Sequence, residues 1–216
     1  MPRTRYWTYR LAQLFPPHDD YAATMARLCI LWEDFITEAT GGAANSIQEM
    51  DGHSPQWRRL YFLRRSIGTV HEIRMALHHL QTQGEFKEAF SMEPKPAQDR
   101  FIESYETLLK HEKLIKDLRN TIAGGHVKQT AIKEGLIRMD SEAHGIFQQG
   151  ECYKDIRFKF AHAIVLEAFF KNDFGDGVEK EINEFMNFMH EVIRNTLRMV
   201  EFAFSVYVKR RGITPL

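Results

Sequence analysis

Residues 178–209 read VEKEINEFMNFMHEVIRNTLRMVEFAFSVYVK, with neither glycine nor proline to interrupt them. Val178, Ile182, Phe185, Met189, Val192, Leu197, Val200 and Phe204 recur at helical spacing and form one apolar stripe. At 1.5 Å rise per residue this predicts a single helix about 48 Å long. A stripe of that length needs partners to bury it, because most helical stability in proteins comes from packing an amphipathic face. Bundle packing follows. A helix longer than its own bundle finds part of its cover in another subunit, so a homodimer is expected.

The rest of the chain supplies the partners. Tyr21, Met25, Leu28, Trp32 and Phe35 form a stripe that opens at Asp19 and Asp20 as N-caps and closes at Gly41-Gly42. A second helix opens at Ser54-Pro55, a cap followed by proline at the first helical position. It runs through Leu60, Leu63, Ile67, Val70, Ile73, Leu77 and Leu80 to a stop at Gly84. After Pro94-Lys95-Pro96, a third helix carries Phe101, Tyr105, Leu108, Ile115, Leu118 and Ile122 to Gly124-Gly125, where glycine can take the left-handed helix-closing conformation. A shorter helix is expected from Lys128 to Arg138. A polar, glycine-containing stretch to about Asp155 has room for a hairpin, and 157–170 has the apolar content of a helix. The expected class is all-α: an antiparallel helical bundle with long helices and an irregular insertion, 137–156, after the third main helix. The divisions are a basic, aromatic arm at 1–18, one bundle domain at 19–210 and a tail at 211–216.

Composition narrows the function. The 216 residues are 44% apolar, enough for one sizeable core, and no Ser/Gly/Pro-rich linker divides them. Lys+Arg and Asp+Glu both number 29, a formal net charge of zero. Phosphate contacts dominate nucleic-acid affinity, so any such binding here needs a local basic patch. Cys29 and Cys152 form no CxxC pair and read as reduced, partly buried thiols. The N-terminal MPRTRYWTYRLAQLFPP lacks the apolar stretch of a signal peptide, and no run reaches the 18 or so apolar residues of a membrane span. The expected location is the cytoplasm.

The sequence contains no GxSxG, Walker loop, GxGxxG or HExxH. Its ten histidines invite a metal reading, but none makes the Glu-x-x-His pair of carboxylate-bridged bundles. His71 and His78 share a helical face and read as ordinary polar or half-buried histidines. Asn172-Asp173-Phe174-Gly175-Asp176-Gly177 lacks the acidic spacing of a calcium loop and reads as the turn before the last helix. Neither metal nor cofactor is expected.

One constellation carries chemistry. The third helix ends in Leu118-Arg119-Asn120-Thr121-Ile122-Ala123-Gly124-Gly125-His126-Val127. Arginine-to-histidine spacing alone is unselective, since Arg64, Arg65, Arg74, Arg138 and Arg157 all satisfy it. Arg119 alone combines a following asparagine, a histidine in range and a helix end marked by two glycines. Arg194-Asn195 repeats the dipeptide without a downstream histidine. The segment resembles the signature of the HEPN superfamily, sharply over 118–127 and loosely, through its long helices, over 20–210. The resemblance implies a metal-independent endoribonuclease, a toxin or phage-defence effector, with Arg119, Asn120 and His126 catalytic and the site formed across a homodimer. The implied partners are single-stranded or looped RNA and an antitoxin or neighbouring protein. The toxin branch paired with nucleotidyltransferases carries a tyrosine two residues after the histidine. Here that position is Lys128, so that partner and its tyrosine modification are not carried over.

The residue chemistry is consistent with RNA cleavage on its own terms. Cleaving RNA at its 2′-hydroxyl requires proton transfer, which suits histidine. It also requires fixed positive charge on the phosphorane, which suits the planar arginine fork. Asn120 can orient either group, and Lys128 can add a phosphate contact. Arg58, Arg59, Arg64 and Arg65 form the basic patch that would touch RNA, although a solvated helix face explains them as well. The ordinary alternative has Arg119 bonding the last carbonyls of its helix and favouring its dipole. His126 then caps the next helix, and the chain is a HEPN-like dimerisation or RNA- or protein-binding module that cleaves nothing.

Overall fold

The computed structural model describes residues 8–43, 55–120, 129–138, 147–148, 157–158, 164 and 178–214. Among these the helices are α1 (Leu11–Leu14), α2 (Asp20–Ala43), α3 (Pro55–Thr82), α4 (Gly84–Ser91), α5 (Lys95–Lys110), α6 (Glu112–Leu118), α7 (Gln129–Arg138) and α8 (Val178–Arg210). A two-residue antiparallel pair, β1 (Phe147–Gln148) with β2 (Arg157–Phe158), is the one sheet element among the described residues. The class is therefore all-helical, as the periodicity predicts. No helix among the described residues is long and apolar enough to cross a membrane.

Packing divides the chain into two units. The first comprises Met1–Glu33, Glu72–Lys110 and Val192–Leu216; the second comprises Asp34–His71 and His111–Glu191.

In the first unit, α2 starts where the sequence places it. The Asp19 carboxylate accepts the Ala22 N–H at 2.8 Å, satisfying one of the orphan donors of a helix start. Tyr21, Met25 and Leu28 are buried, as are Ile73, Leu77 and Leu80 of α3. Gln83 takes an extended conformation and ends α3, so Gly84 opens a new helix rather than stopping the old one. This eight-residue α4, absent from the sequence reading, buries Phe86 and Ala89. Phe90 meets Phe101 of α5 at 5.4 Å and Phe202 of α8 at 6.0 Å, which joins three helices through aromatic contacts. Asn195, in the second Arg-Asn dipeptide, is buried and faces the Ser104 hydroxyl at 3.4 Å, a structural role.

The C-terminal end of α8 holds the first unit together. Lys209 pairs with Glu93 at 2.8 Å and Arg210 with Glu88 at 2.8 Å. Arg211 contacts the Asp19 carboxylate and lies 3.2 Å from Glu85. Its guanidinium is 5.7 Å from the ring centroids of both Tyr21 and Tyr207. The helix then closes on Gly212, whose φ is +59. Gly212 N–H donates to Lys209 and Ile213 N–H to Val208, the paired bonds of a Schellman cap. A Cβ at Gly212 would meet nothing within 4 Å, so Gly212→Ala isolates the left-handed backbone cost. It should lower stability by about 1 kcal/mol in chemical denaturation, and Gly212→Asn by less.

In the second unit, α2 passes through Gly41 and Gly42 and ends at Ala43, one residue beyond the expected close. A Cβ at Gly41 would fall 2.8 Å from the Phe62 ring, so this glycine allows a close approach between α2 and α3. Phe35, Ile67 and Val70 are buried. The expected continuous third helix is divided at His111, between α5 and α6. The His111 ring stands edge-on to Phe188 at 4.9 Å, and its Nε2 lies 3.7 Å from Glu191. Residues 157–158 are strand where a helix was expected, and the β1–β2 pair suits the anticipated hairpin. The short helix expected at Lys128–Arg138 is α7.

Glu38 of α2 is 8% exposed, yet accepts from Thr69 and sits 3.4 Å from the Arg65 Nε. Burial outweighs these partners and raises its pKa above the usual carboxylate range. A raised folded pKa contributes stability below the unfolded value, about 4.3, and loses it as pH climbs through the folded value. Glu38→Gln should therefore melt with the wild type near pH 4 and above it at pH 7.

Candidate functional site

The Arg119-Asn120 pair sits where α6 ends. Ile115 and Leu118 are buried and fix the helix in the second unit. The Arg119 N–H donates to the carbonyls of both Ile115 and Lys116, and its φ and ψ of −57 and −45 remain helical. Residues 119–120 then widen into a π turn. Such turns are rare in proteins and frequent at functional sites. Adjacent residues on a regular helix do not face each other. Here Arg119 Nη1 nevertheless donates to Asn120 Oδ1 at 3.3 Å, and both residues are half-buried. The asparagine thus positions a fixed positive charge at a helix end, an arrangement suited to a phosphate oxygen. His126 and Lys128, and the Gly124-Gly125 that precedes them, lie outside the described residues.

The expected basic patch divides. Arg58 and Arg59 lie in the first turns of α3, with their side chains outside the described set. Arg64 is half-buried, and burial lowers its pKa from the usual arginine value. Arg65 is engaged by Glu38 at 3.4 Å. Arg64 is therefore partly withdrawn from solvent, while Arg65 stays exposed and pairs with Glu38.

Among the described residues, no three His, Cys, Asp or Glu side chains come together as a metal-binding group. His78 Nδ1 lies 3.2 Å from the Tyr105 hydroxyl. Burial pushes the Cys29 thiol up to about 11, away from a reactive thiolate. Cys152 lies outside the described residues.

The chain matches no family model, no curated protein and no solved structure.

A second polar feature, in the first unit, escaped the sequence reading. A cleft of about 500 Å³ brings His18, Asp19, Asp20 and Tyr21 together with His79, Gln83 and Glu85. The two groups are some 60 residues apart in the chain, so no local spacing announces them. The one local signal, Asp19-Asp20, is accounted for by helix capping.

Proposed function

We propose that this chain is a metal-independent endoribonuclease of the HEPN kind, cytoplasmic, acting as a toxin or defence effector. The observation that supports the reading most is the Arg119–Asn120 contact at 3.3 Å on a π turn, in the segment that leads to His126. In this mechanism the 2′-oxygen of the substrate attacks the adjacent phosphorus while His126 removes its proton. Arg119, oriented by Asn120, bonds the non-bridging oxygens as negative charge accumulates. The P–O5′ bond breaks, and the leaving oxygen takes a proton from His126 of the partner subunit. One histidine and one arginine per chain is a small inventory, and a two-fold homodimer doubles it.

The chemistry dictates the products. Wild-type protein incubated with single-stranded RNA in excess EDTA should leave 2′,3′-cyclic phosphate and 5′-hydroxyl ends. Ends bearing 5′-phosphate, or cleavage that stops with chelator, would refute the mechanism.

A second reading has two observations in its favour. The net charge is zero, and one arginine of the α3 patch, Arg65, is already paired with Glu38. On that reading the chain is a non-catalytic dimerisation or binding module. It would associate with itself, RNA or a neighbouring protein and cleave nothing.

A further inference from the structure

The cleft in the first unit opens where the N-terminus of α2 meets the α3–α4 junction, and its volume of about 500 Å³ is in the range of small-molecule sites. Two of its lining side chains carry polar atoms shielded from solvent with no hydrogen-bond partner among the described residues. These are the hydroxyl of Tyr21, a residue 3% exposed, and the side-chain carbonyl oxygen of Gln83. Buried polar atoms in native proteins nearly always have partners, so each such exception points to a missing one. The Gln83 amide nitrogen is by contrast committed, to Thr24 Oγ1 at 3.0 Å and the Asp20 carbonyl at 3.3 Å. What the cleft leaves over is acceptor capacity.

Its charge has the same bias. Asp19, Asp20 and Glu85 line it beside neutral His18 and His79, and Arg211 contacts Asp19 and lies 3.2 Å from Glu85. Counting the N-termini of α2 and α4 as about half a positive charge each still leaves a negative surplus. An anion is therefore disfavoured, and no three ligating side chains converge to hold a metal ion among the described residues. The occupant that matches is an organic cation rich in N–H donors.

We propose that this cleft binds a primary alkylammonium group, from a short diamine or a lysine side chain. The Asp20 and Glu85 carboxylates supply the charge, and the oxygens of Gln83 and Tyr21 accept its N–H bonds. The site is independent of the ribonuclease reading.

The test is titration calorimetry and thermal melting of the full chain at matched ionic strength. The probes are 1,4-diaminobutane, a blocked Gly-Lys-Gly peptide, and tetramethylammonium as a cation without N–H donors. The diamine or the peptide should bind and raise the melting midpoint, while tetramethylammonium does neither. Diamine binding alone identifies a free amine as the source, and peptide binding alone a lysine side chain. Tyr21→Phe removes a hydroxyl that has no hydrogen-bond partner among the described residues, so it should melt no lower than wild type yet bind the amine about tenfold or more weakly. Asp20→Asn, at an exposed position, should weaken binding similarly. Absence of binding by both amines, equal effects of tetramethylammonium, or wild-type affinity in Tyr21→Phe and Asp20→Asn would overturn the proposal.

Discussion

Arg119→Ala should lower the kcat for RNA cleavage by about a hundredfold or more, the scale of removing one group that stabilises developing negative charge in a transition state. The effect belongs in kcat because the phosphorane carries more charge than the ground-state phosphate. Arg119→Lys keeps the charge but loses the planar fork, and should recover only part of the activity. Asn120→Ala acts through the 3.3 Å contact that orients the guanidinium, and should cost about tenfold, the scale of a single hydrogen bond. Single-turnover kinetics on a defined RNA separates these effects from product release. Circular dichroism should show unchanged helix content in all three variants. Equal rates for Arg119→Ala and wild type would remove Arg119 from the chemistry.

The largest stability effect is expected at Tyr207. Its side chain is fully buried, its hydroxyl donates to the Leu14 carbonyl, and its ring meets Tyr21 edge-on at 4.9 Å and stacks on Phe15 at 6.1 Å. Tyr207→Ala removes the aromatic body from a site that cannot fully collapse, and should cost about 3–5 kcal/mol. In a chain of this size that corresponds to a fall of roughly 10 °C in Tm. Tyr207→Phe retains the ring and strands only the Leu14 carbonyl, so about 1 kcal/mol is expected. Urea denaturation of both variants gives the two numbers. If Tyr207→Ala cost no more than Tyr207→Phe, the aromatic contacts would not be what holds this end of the first unit.

The long helices were legible because their signal is redundant. Buried Tyr21, Met25, Leu28 and Phe35 of α2, and Ile67, Val70, Ile73, Leu77 and Leu80 of α3, are residues the periodicity picks out. The breaks were harder to read. Leu108 and Ile115 are both buried and seven residues apart, so the apolar phase continues across His111 while the helix does not. Helix α4 was missed because eight residues between Gly84 and Pro94 make barely two turns, and because glycine more often ends a helix than begins one. The two-residue strands β1 and β2 are too short for any alternation to register.

The candidate site was legible only in part. The position of Arg119 at a helix end followed from the paired glycines downstream. The π turn that lets Arg119 meet Asn120 follows from no local pattern, since a widened turn leaves the residue types unchanged. Nor does the sequence show that the exposed Arg65 pairs with the buried carboxylate of Glu38. That pairing depends on α2 and α3 coming together in the second unit.

The ribonuclease account rests most directly on His126, the proton carrier of the proposed mechanism. The measurement is RNA cleavage in excess EDTA by wild type and His126→Ala, purified identically and assayed at equal concentration. The account predicts that wild type cuts and that His126→Ala is slower by about a hundredfold or more, the scale of losing a general acid–base group. Equal cleavage by both proteins, or none by wild type on any single-stranded or looped RNA, would contradict it.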